Sequence, residues 1–445
     1  MKSSRAKVLH RAGGKSLIEH VVDTALRLTS PERVFVVVGH QAGQVREAVG
    51  GRGVGFIEQR EQKGTGHALM AGREALSGLS GLLMVLYGDA PLITEATLRR
   101  LVLRQHETRA AATVITALID DPTGYGRVLE KEGAVQAIVE QKAATAEQLL
   151  VREINSGIYC FKAADFWKHA GEIRPDNPAK EYYLTDIVEI LNRAGKSVRA
   201  MRIDDPAEAL GINDRIELAK VDAQFRTRKV EELMRSGVTI EKPETVTVDA
   251  GVRVGKDTTI GAFTQILGST AIGEECVIGA CSILEDSRLG DRVQVKPFSS
   301  IAGSVIGDEG QVGPYARIRM GAQIADGAHV GNFVELKNTR LGSKSKAMHL
   351  AYLGDSEIGE RVNIGAGTIT CNYDGIAKHA TKIGNGAFVG SNSTLVAPIE
   401  IGEGAYLGAG SVITDPVPSD ALALGRGRQV NKEGWARKRR KSSSG

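Results

Sequence analysis

Residues 301–341 read IAGSVIGDEGQVGPYARIRMGAQIADGAHVGNFVELKNTRL. After a five-residue step from Ile301 to Ile306, an aliphatic residue recurs at every sixth position: Val312, Ile318, Ile324, Val330 and Leu336. The same phase extends outward on both sides. Upstream it runs Val248, Val254, Ile260, Ile266, Ile272, Ile278 and Leu284, then resets to Leu289, Val295 and Ile301. Near the end it runs Ile383, Val389, Leu395, Ile401, Leu407 and Ile413. A period of six suits neither a helix nor an alternating strand, and over this distance it predicts a parallel β-helix of hexapeptides. One aliphatic side chain per short strand points inward, and the glycine that often follows is expected to make the sharp turn to the next face. Three such strands make a triangular coil of about eighteen residues, so 246–413 holds roughly nine coils. An ordinary sandwich with frequent turns, the plainer reading, would not keep this phase. The longest interruption, between Ile364 and Ile383, covers Gly365 to Gly375 and predicts a loop, the kind of place where function concentrates on a rigid scaffold.

The rest of the 445-residue chain leaves room for two or three domains at roughly 150 residues each. Its 57 Lys+Arg against 53 Asp+Glu leave +4, a balance that argues against a dedicated nucleic-acid binder. Apolar residues make up 42%, enough for sizeable cores, yet no apolar run suits a membrane span and no secretory signal opens the chain. Cys160, Cys276, Cys281 and Cys371 are too few and scattered for a disulfide framework and lack metal-binding spacing. The expectation is a cytoplasmic protein with neither membrane nor nucleic acid as partner. Glycine, at 53 residues, is in excess while proline is not, at 12, which excludes collagen and low-complexity linkers and fits repeated tight turns.

Residues 1–213 alternate strand and helix patterns. Strands are expected at Val34–Val38, Leu82–Leu86 and Ala111–Ala117, and helices at Leu17–Leu28 and Glu95–Gln105. Such alternation predicts a mostly parallel α/β sheet, whose ligands sit at the carboxyl ends of the strands. Tyr87-Gly88-Asp89 then lies at the working edge. An amphipathic helix from Asn213 to Gly237 is expected to join the halves, so the expected domains are 1–213, a linker 214–237, a β-helix 238–418 and an arm 419–445. The tail from Ala436, with its basic run 437–441, has no apolar periodicity and is expected to be disordered.

Read together, the segments resemble one family. Lys7-Val-Leu-His10, Gly64-Thr-Gly-His-Ala68, Tyr87-Gly-Asp89, Asp121-Pro-Thr-Gly-Tyr-Gly-Arg127, Glu153-Ile-Asn155 and Glu181-Tyr-Tyr-Leu-Thr-Asp186 precede the repeat, and His349-Leu-Ala-Tyr-Leu-Gly-Asp355 lies within it. In this order they closely resemble the bacterial bifunctional N-acetylglucosamine-1-phosphate uridyltransferase/glucosamine-1-phosphate acetyltransferases. The resemblance covers nearly the whole chain. It implies a Rossmann-like nucleotidyltransferase domain, then a left-handed β-helix like that of the hexapeptide acyltransferases, and a homotrimer. It also implies Mg²⁺ as cofactor, with acetyl-CoA and UTP as co-substrates and glucosamine 1-phosphate and N-acetylglucosamine 1-phosphate as sugar substrates. The family's uridyltransferase half opens with a strand and a loop of the form Leu-Ala-Ala-Gly-x-Gly-Thr-Arg-Met, and Met1 matches its last residue. Because such loops cradle nucleotide phosphates, the chain from Met1 is expected to acetylate normally and to transfer uridylyl groups poorly.

Uridylyl transfer needs no general base, since the attacking sugar phosphate is already ionised; it needs alignment and neutralised charge. Asp89 is a hard oxygen ligand for Mg²⁺ and Asn213 can add a second oxygen, and the resemblance assigns metal binding to both. On their own, Asp89 reads equally as a turn residue and Asn213 as a helix cap. The resemblance places Lys7 on phosphate; Gln59, Gly64 and Thr65 at the uracil and nearby phosphate; and Gly126, Glu140 and Asn155 at the N-acetyl sugar. Alone, Lys7 is a surface charge, Gly64-Thr-Gly a turn and Glu140 a strand-edge charge.

Acetyl transfer to an amine does need a base, and histidine suits neutral pH. His349 matches the family's catalytic base, with Glu335 able to orient it. The resemblance puts Arg319 and Lys337 on the sugar phosphate, and Tyr352 and Asn363 on the sugar. It puts Ala366, Asn372, Tyr373, Ser391, Ala409 and Arg426 at acetyl-CoA. Without it, Arg319 and Lys337 read as a charge pair on the prism surface. Two other readings stay open: an acetyltransferase with an inactive N-terminal domain, and a non-catalytic scaffold, against which His349, Arg319, Lys337 and Asn372 speak.

Overall fold

The structure, a computed structural model, describes residues 1–442. The chain divides into two compact units, Met1–Phe225 and Arg226–Gly445, with the division inside the helix Arg215–Arg235.

The second unit is the repeat made solid. Its short strands stack into three parallel sheets of 11, 10 and 9 strands, each strand pairing with its counterpart one coil on. Ile301 pairs with Ile318, Ile318 with Leu336 and Leu336 with Leu353, all fully buried in one continuous apolar column. This is the hexapeptide β-helix that the period predicts, left-handed as the resemblance implies. The role of its glycines differs from the expectation. Gly279 and Gly390 follow aliphatic positions without a positive φ; a Cβ on either would lie 2.6 Å and 2.5 Å from the backbone nitrogens of Pro297 and Ala409. They are needed for close approach of the next coil. The left-handed corner conformation is taken instead by ordinary residues such as Phe298, Tyr315 and Phe333, whose rings stack in an exposed column.

The interruption after Ile364 is shorter than expected. A strand at Ile369–Cys371 keeps the phase with buried Thr370 inward, its hydroxyl accepting from Gly354 N at 2.8 Å. A polar residue at an aliphatic position hid the strand. The excursion runs from Asn372 to Ala380 and folds back on itself through a Tyr373–Lys378 bridge.

In the first unit the sheet is mixed, which corrects the expectation of a mostly parallel one. Glu153–Lys162, almost wholly buried, runs antiparallel to both Ala112–Leu118 and Leu82–Val85. Val198–Arg202 adds a parallel edge strand, and the hairpin Arg127–Lys131/Ala134–Val139 attaches at Ile154. Phe35–Val38 pairs in parallel with Gly55–Glu58 in a separate two-stranded sheet. Helices Leu17–Leu26 and Glu95–Thr108 lie where the periodicity predicts.

Two termini of helices also differ. Asp214, not Asn213, caps Arg215–Arg235, its carboxylate accepting from Ile216 N and Glu217 N at 2.8 Å. The tail is helical over Trp435–Ser442, because Ala, Arg and Lys are good helix formers even without an apolar face. Residues 443–445 of that expectation lie outside the described residues.

Candidate active sites

In the first unit three groups of the expected residues meet. The short turn Lys7–Leu9 sets the Lys7 ammonium 2.5 Å from Asp89 Oδ2 and 2.8 Å from Asn213 Oδ1. Two hard oxygens from distant positions thus converge on one cationic point, which is the donor set a divalent cation with a mainly water and phosphate shell takes from a protein. Asp89 is at the same time a turn residue, with Ala90 N donating to Tyr87 O at 3.2 Å. Beside it, Gln59 Nε2 donates to Gly64 O at 3.2 Å, and Thr65 Oγ1, at the start of the helix Thr65–Met70, accepts from Leu184 N at 3.1 Å. Gly64 is the one residue that fits here: its φ is +104° and a Cβ would lie 2.7 Å from Tyr182 O.

The third group surrounds Gly126. A Cβ there would lie 3.2 Å from Ile138 Cγ2, 3.6 Å from Glu140 Oε1 and 3.7 Å from Asn155 Cβ, so Gly126 lets the backbone close in on Glu140 and Asn155. Tyr87 joins the groups through a hydrogen bond with Thr65; burial pushes its hydroxyl up to about 12, so it stays neutral. Burial also raises the Glu140 carboxyl, although Thr185 donates to it at 3.3 Å. Asp186, half-buried near Glu189 and Glu140, is raised from 3.8 to about 6 by burial first and by those two charges second. A carboxyl raised on folding binds more protons folded than unfolded between about pH 4 and 6. Its stabilising contribution is therefore complete below pH 4 and lost as pH rises through about 6. Asp186→Asn is accordingly expected to raise the Tm of this unit at pH 7–8 and to change it little below pH 4; equal shifts at both pH values would contradict the assignment.

In the second unit two corners of the prism, joined by one face, carry the rest. Asn332, His349, Ala366, Ser391 and Ala409 follow one another down a corner, coil after coil: Asn332 is in register with His349, and Asn392 N and Gly410 N donate to Ala366 O and Ser391 O. Arg426 Nη1 closes the column at 2.7 Å from Ala409 O. His349 is exposed, with Nδ1 2.6 Å from Asn332 Oδ1. Glu335, expected to orient it, is instead engaged by Arg319 Nε at 2.7 Å.

At the other corner Lys337 is buried and lies 3.3 Å from Asp355 Oδ2. Asp355 also accepts from Asn372 Nδ2 at 2.5 Å and Asn338 Nδ2 at 2.8 Å. Burial opposes ionisation of Asp355, but these bonds outweigh it and hold its carboxyl below the ordinary range. Above Gly354 the Tyr352 hydroxyl and the Asn372 amide meet, since a Cβ there would be 2.5 Å and 2.7 Å from them. Lys378, on the excursion, lies beside Lys337, and that neighbouring ammonium lowers its pKa. Asn363 stands on the strand after that of His349, in register with Lys346, and Tyr373 is exposed with its hydroxyl on Gly375 O. Tyr373 reaches the second cluster through its backbone bridge to Lys378.

Over 442 residues, 99% of this chain and 95% of the relative, the sequence is 66% identical to the bifunctional protein GlmU of Solibacter usitatus (strain Ellin6076). The chain belongs to the GlmU family. It is also 50% identical over 444 residues to the GlmU of Koribacter versatilis (strain Ellin345), covering 99% of this chain and 94% of that one. With the GlmU of Enterococcus faecalis (strain ATCC 700802 / V583) it shares 44% over 439 residues, 98% of this chain and 95% of that one. Residues 1–150 match the MobA-like NTP transferase domain, 242–330 the GMPPB C-terminal domain and 380–415 the bacterial transferase hexapeptide. In this GlmU-family chain, Asn332, Asp355 and Lys378 stand beside the expected residues and were not singled out by sequence reasoning. Asn332 lies one coil before His349, a relation legible once the coil step is known. Lys378 sits off the repeat, where no register reports its position.

Proposed function

We propose that each unit carries one step of UDP-N-acetylglucosamine synthesis. In the second unit, glucosamine 1-phosphate is acetylated from acetyl-CoA. The amine nitrogen attacks the thioester carbonyl, His349 takes the proton that the amine loses, and the CoA thiolate leaves. Arg319, Lys337 and Lys378 offer one fork and two point charges to the sugar phosphate, with Tyr352 and Asn372 over the sugar. The corner column of Ala366, Ser391 and Ala409, ending in Arg426, takes the CoA, with Asn363 and Tyr373 completing the two substrates' surroundings.

In the first unit, N-acetylglucosamine 1-phosphate attacks the α-phosphate of UTP and pyrophosphate leaves. Gln59, Gly64 and Thr65 hold the base and nearby phosphate, and Gly126, Glu140 and Asn155 hold the acetylated sugar. Lys7 neutralises phosphate charge. Asp89 and Asn213 would hold a Mg²⁺ ion, which when bound supplies further positive charge to the triphosphate. The single observation that carries the proposal is the exposed histidine at one corner of the prism with Arg319, Lys337 and Lys378 gathered towards the next corner. That arrangement joins a base to an anion grip and has no use in a scaffold or in a protein with only a nucleotide site.

The proposal includes a cytoplasmic homotrimer, since these substrates are cytoplasmic and the exposed stacked column of Phe298, Tyr315 and Phe333 suits packing against another prism. Among the described residues no helix is long and apolar enough to cross a membrane. The test is to supply the purified protein separately with glucosamine 1-phosphate plus acetyl-CoA, and with N-acetylglucosamine 1-phosphate plus UTP and Mg²⁺. Release of CoA in the first is expected, with slower release of pyrophosphate in the second, from a species that sediments as a trimer. Release of neither would overturn the proposal.

A further inference from the structure

We infer that Asn332 is the positioning residue that fixes the tautomer of His349. This rests on the reading of His349 as the acetyl-transfer base. Asn332 ends the strand His329–Asn332, His349 ends the strand Lys346–His349, and the two are register partners one coil apart. Their backbones are also tied, with Leu350 N donating to Asn332 O at 3.0 Å. The side chains therefore stand side by side at the same corner, and the 2.6 Å contact follows from the coil geometry.

The chemistry of that contact decides where the proton sits. An amide oxygen only accepts, so a hydrogen bond between Asn332 Oδ1 and His349 Nδ1 requires the hydrogen on Nδ1. The neutral ring then carries its lone pair on Nε2. Among the described residues Nε2 has no partner, and His349 is exposed, so that lone pair is available to a substrate amine. Without an acceptor at Nδ1 the proton divides between the two nitrogens, and rings protonated on Nε2 present a donor where the amine needs an acceptor.

The identity of the partner matters too. A carboxylate at this position would favour the charged imidazolium and keep the base protonated nearer neutrality. Glu335, the carboxylate that the sequence offers for that role, is committed to Arg319. A neutral acceptor orders the ring without charging it. The reversed amide, donating its NH₂ to Nδ1, is the specific alternative: it would hold the proton on Nε2 and leave no base.

The two arrangements differ in the imidazole nitrogen shifts. The experiment uses the full-length protein with ¹⁵N-labelled histidine, the His349 signals being assigned by their loss in His349→Gln. Two-bond proton–nitrogen correlation is expected to show Nδ1 protonated and Nε2 bare in the wild type. In Asn332→Leu the proton should spread to Nε2, kcat for acetylation should fall about tenfold or more within the roughly 10²–10⁴ that a general base contributes, and KM should change little. Asn332→Asp, which keeps an acceptor, should hold the Nδ1 proton but move the acid limb of the acetylation pH profile upward, with the neutral Nδ1–H form recovered at higher pH. A wild-type ring protonated on Nε2, or an Asn332→Leu protein with unchanged tautomer and kcat, would overturn the inference. Should His349→Gln itself acetylate normally, the base reading fails separately, and the nitrogen shifts still decide what Asn332 does to the ring.

Discussion

His349→Ala is expected to lower acetyl transfer by roughly 10²–10⁴-fold, the usual contribution of a general base. An amine is mostly protonated at neutral pH, and its attack on a thioester passes through a nitrogen that must lose a proton. Removing the imidazole leaves water to take it. The cations at the opposite corner remain, so KM for the sugar phosphate should change far less than kcat. Lys337 and Asp355 make their ion pair without His349, and the columns of buried aliphatic residues do not involve it. The coils should therefore keep their stability, which thermal unfolding reads directly. Uridylyl transfer should be untouched, because none of its proposed residues lies in the prism. Near-normal acetylation by the variant would remove His349 from the mechanism.

Asp89→Ala carries the second large effect, on the other reaction. Uridylyl transfer depends almost wholly on alignment and charge stabilisation, and Asp89 is the carboxylate that Lys7 meets where it also meets Asn213. Its loss should cost roughly 10²–10³-fold or more in rate, comparable to removing one strong electrostatic contact from a transition state. Binding of Mn²⁺, followed by its paramagnetic resonance in the absence of substrates, should weaken in parallel. Acetyl transfer should be unchanged. Retained Mn²⁺ binding together with normal pyrophosphate release would show that the two oxygens do not hold the metal.

The two halves were not equally legible in the sequence. Hexapeptide periodicity specifies the prism because one inward side chain per strand sets the register of every coil, and a slip of one residue would turn the aliphatic column outward. Even its lapse at Thr370 was local, since a hydroxyl satisfied by Gly354 can occupy an inward position. The first unit has no such ruler. Strand and helix lengths were readable there, but the direction of Glu153–Lys162 depends on which neighbours bury its two faces, and both are distant in sequence. The same contrast holds for the sites. Grouping Gly126 with Glu140 and Asn155 came from resemblance, as did Lys7 with Asp89. Asn332 beside His349 follows from the coil step alone. Lys378 required the fold, because the excursion that carries it leaves the repeat. The choice of Arg319 over His349 as the partner of Glu335 is a matter of side-chain direction along one strand, which spacing does not report.

The central claim is that two separable sites on one chain perform successive reactions. Separately purified His349→Ala and Asp89→Ala proteins, each with a single defect, test it in one assay with glucosamine 1-phosphate, acetyl-CoA, UTP and Mg²⁺. Neither protein alone should make UDP-N-acetylglucosamine at an appreciable rate. Their mixture should, because N-acetylglucosamine 1-phosphate made by the Asp89→Ala protein diffuses to the intact uridylyl site of the other. A mixture as inactive as its components would show that the two sites do not work as separate stations.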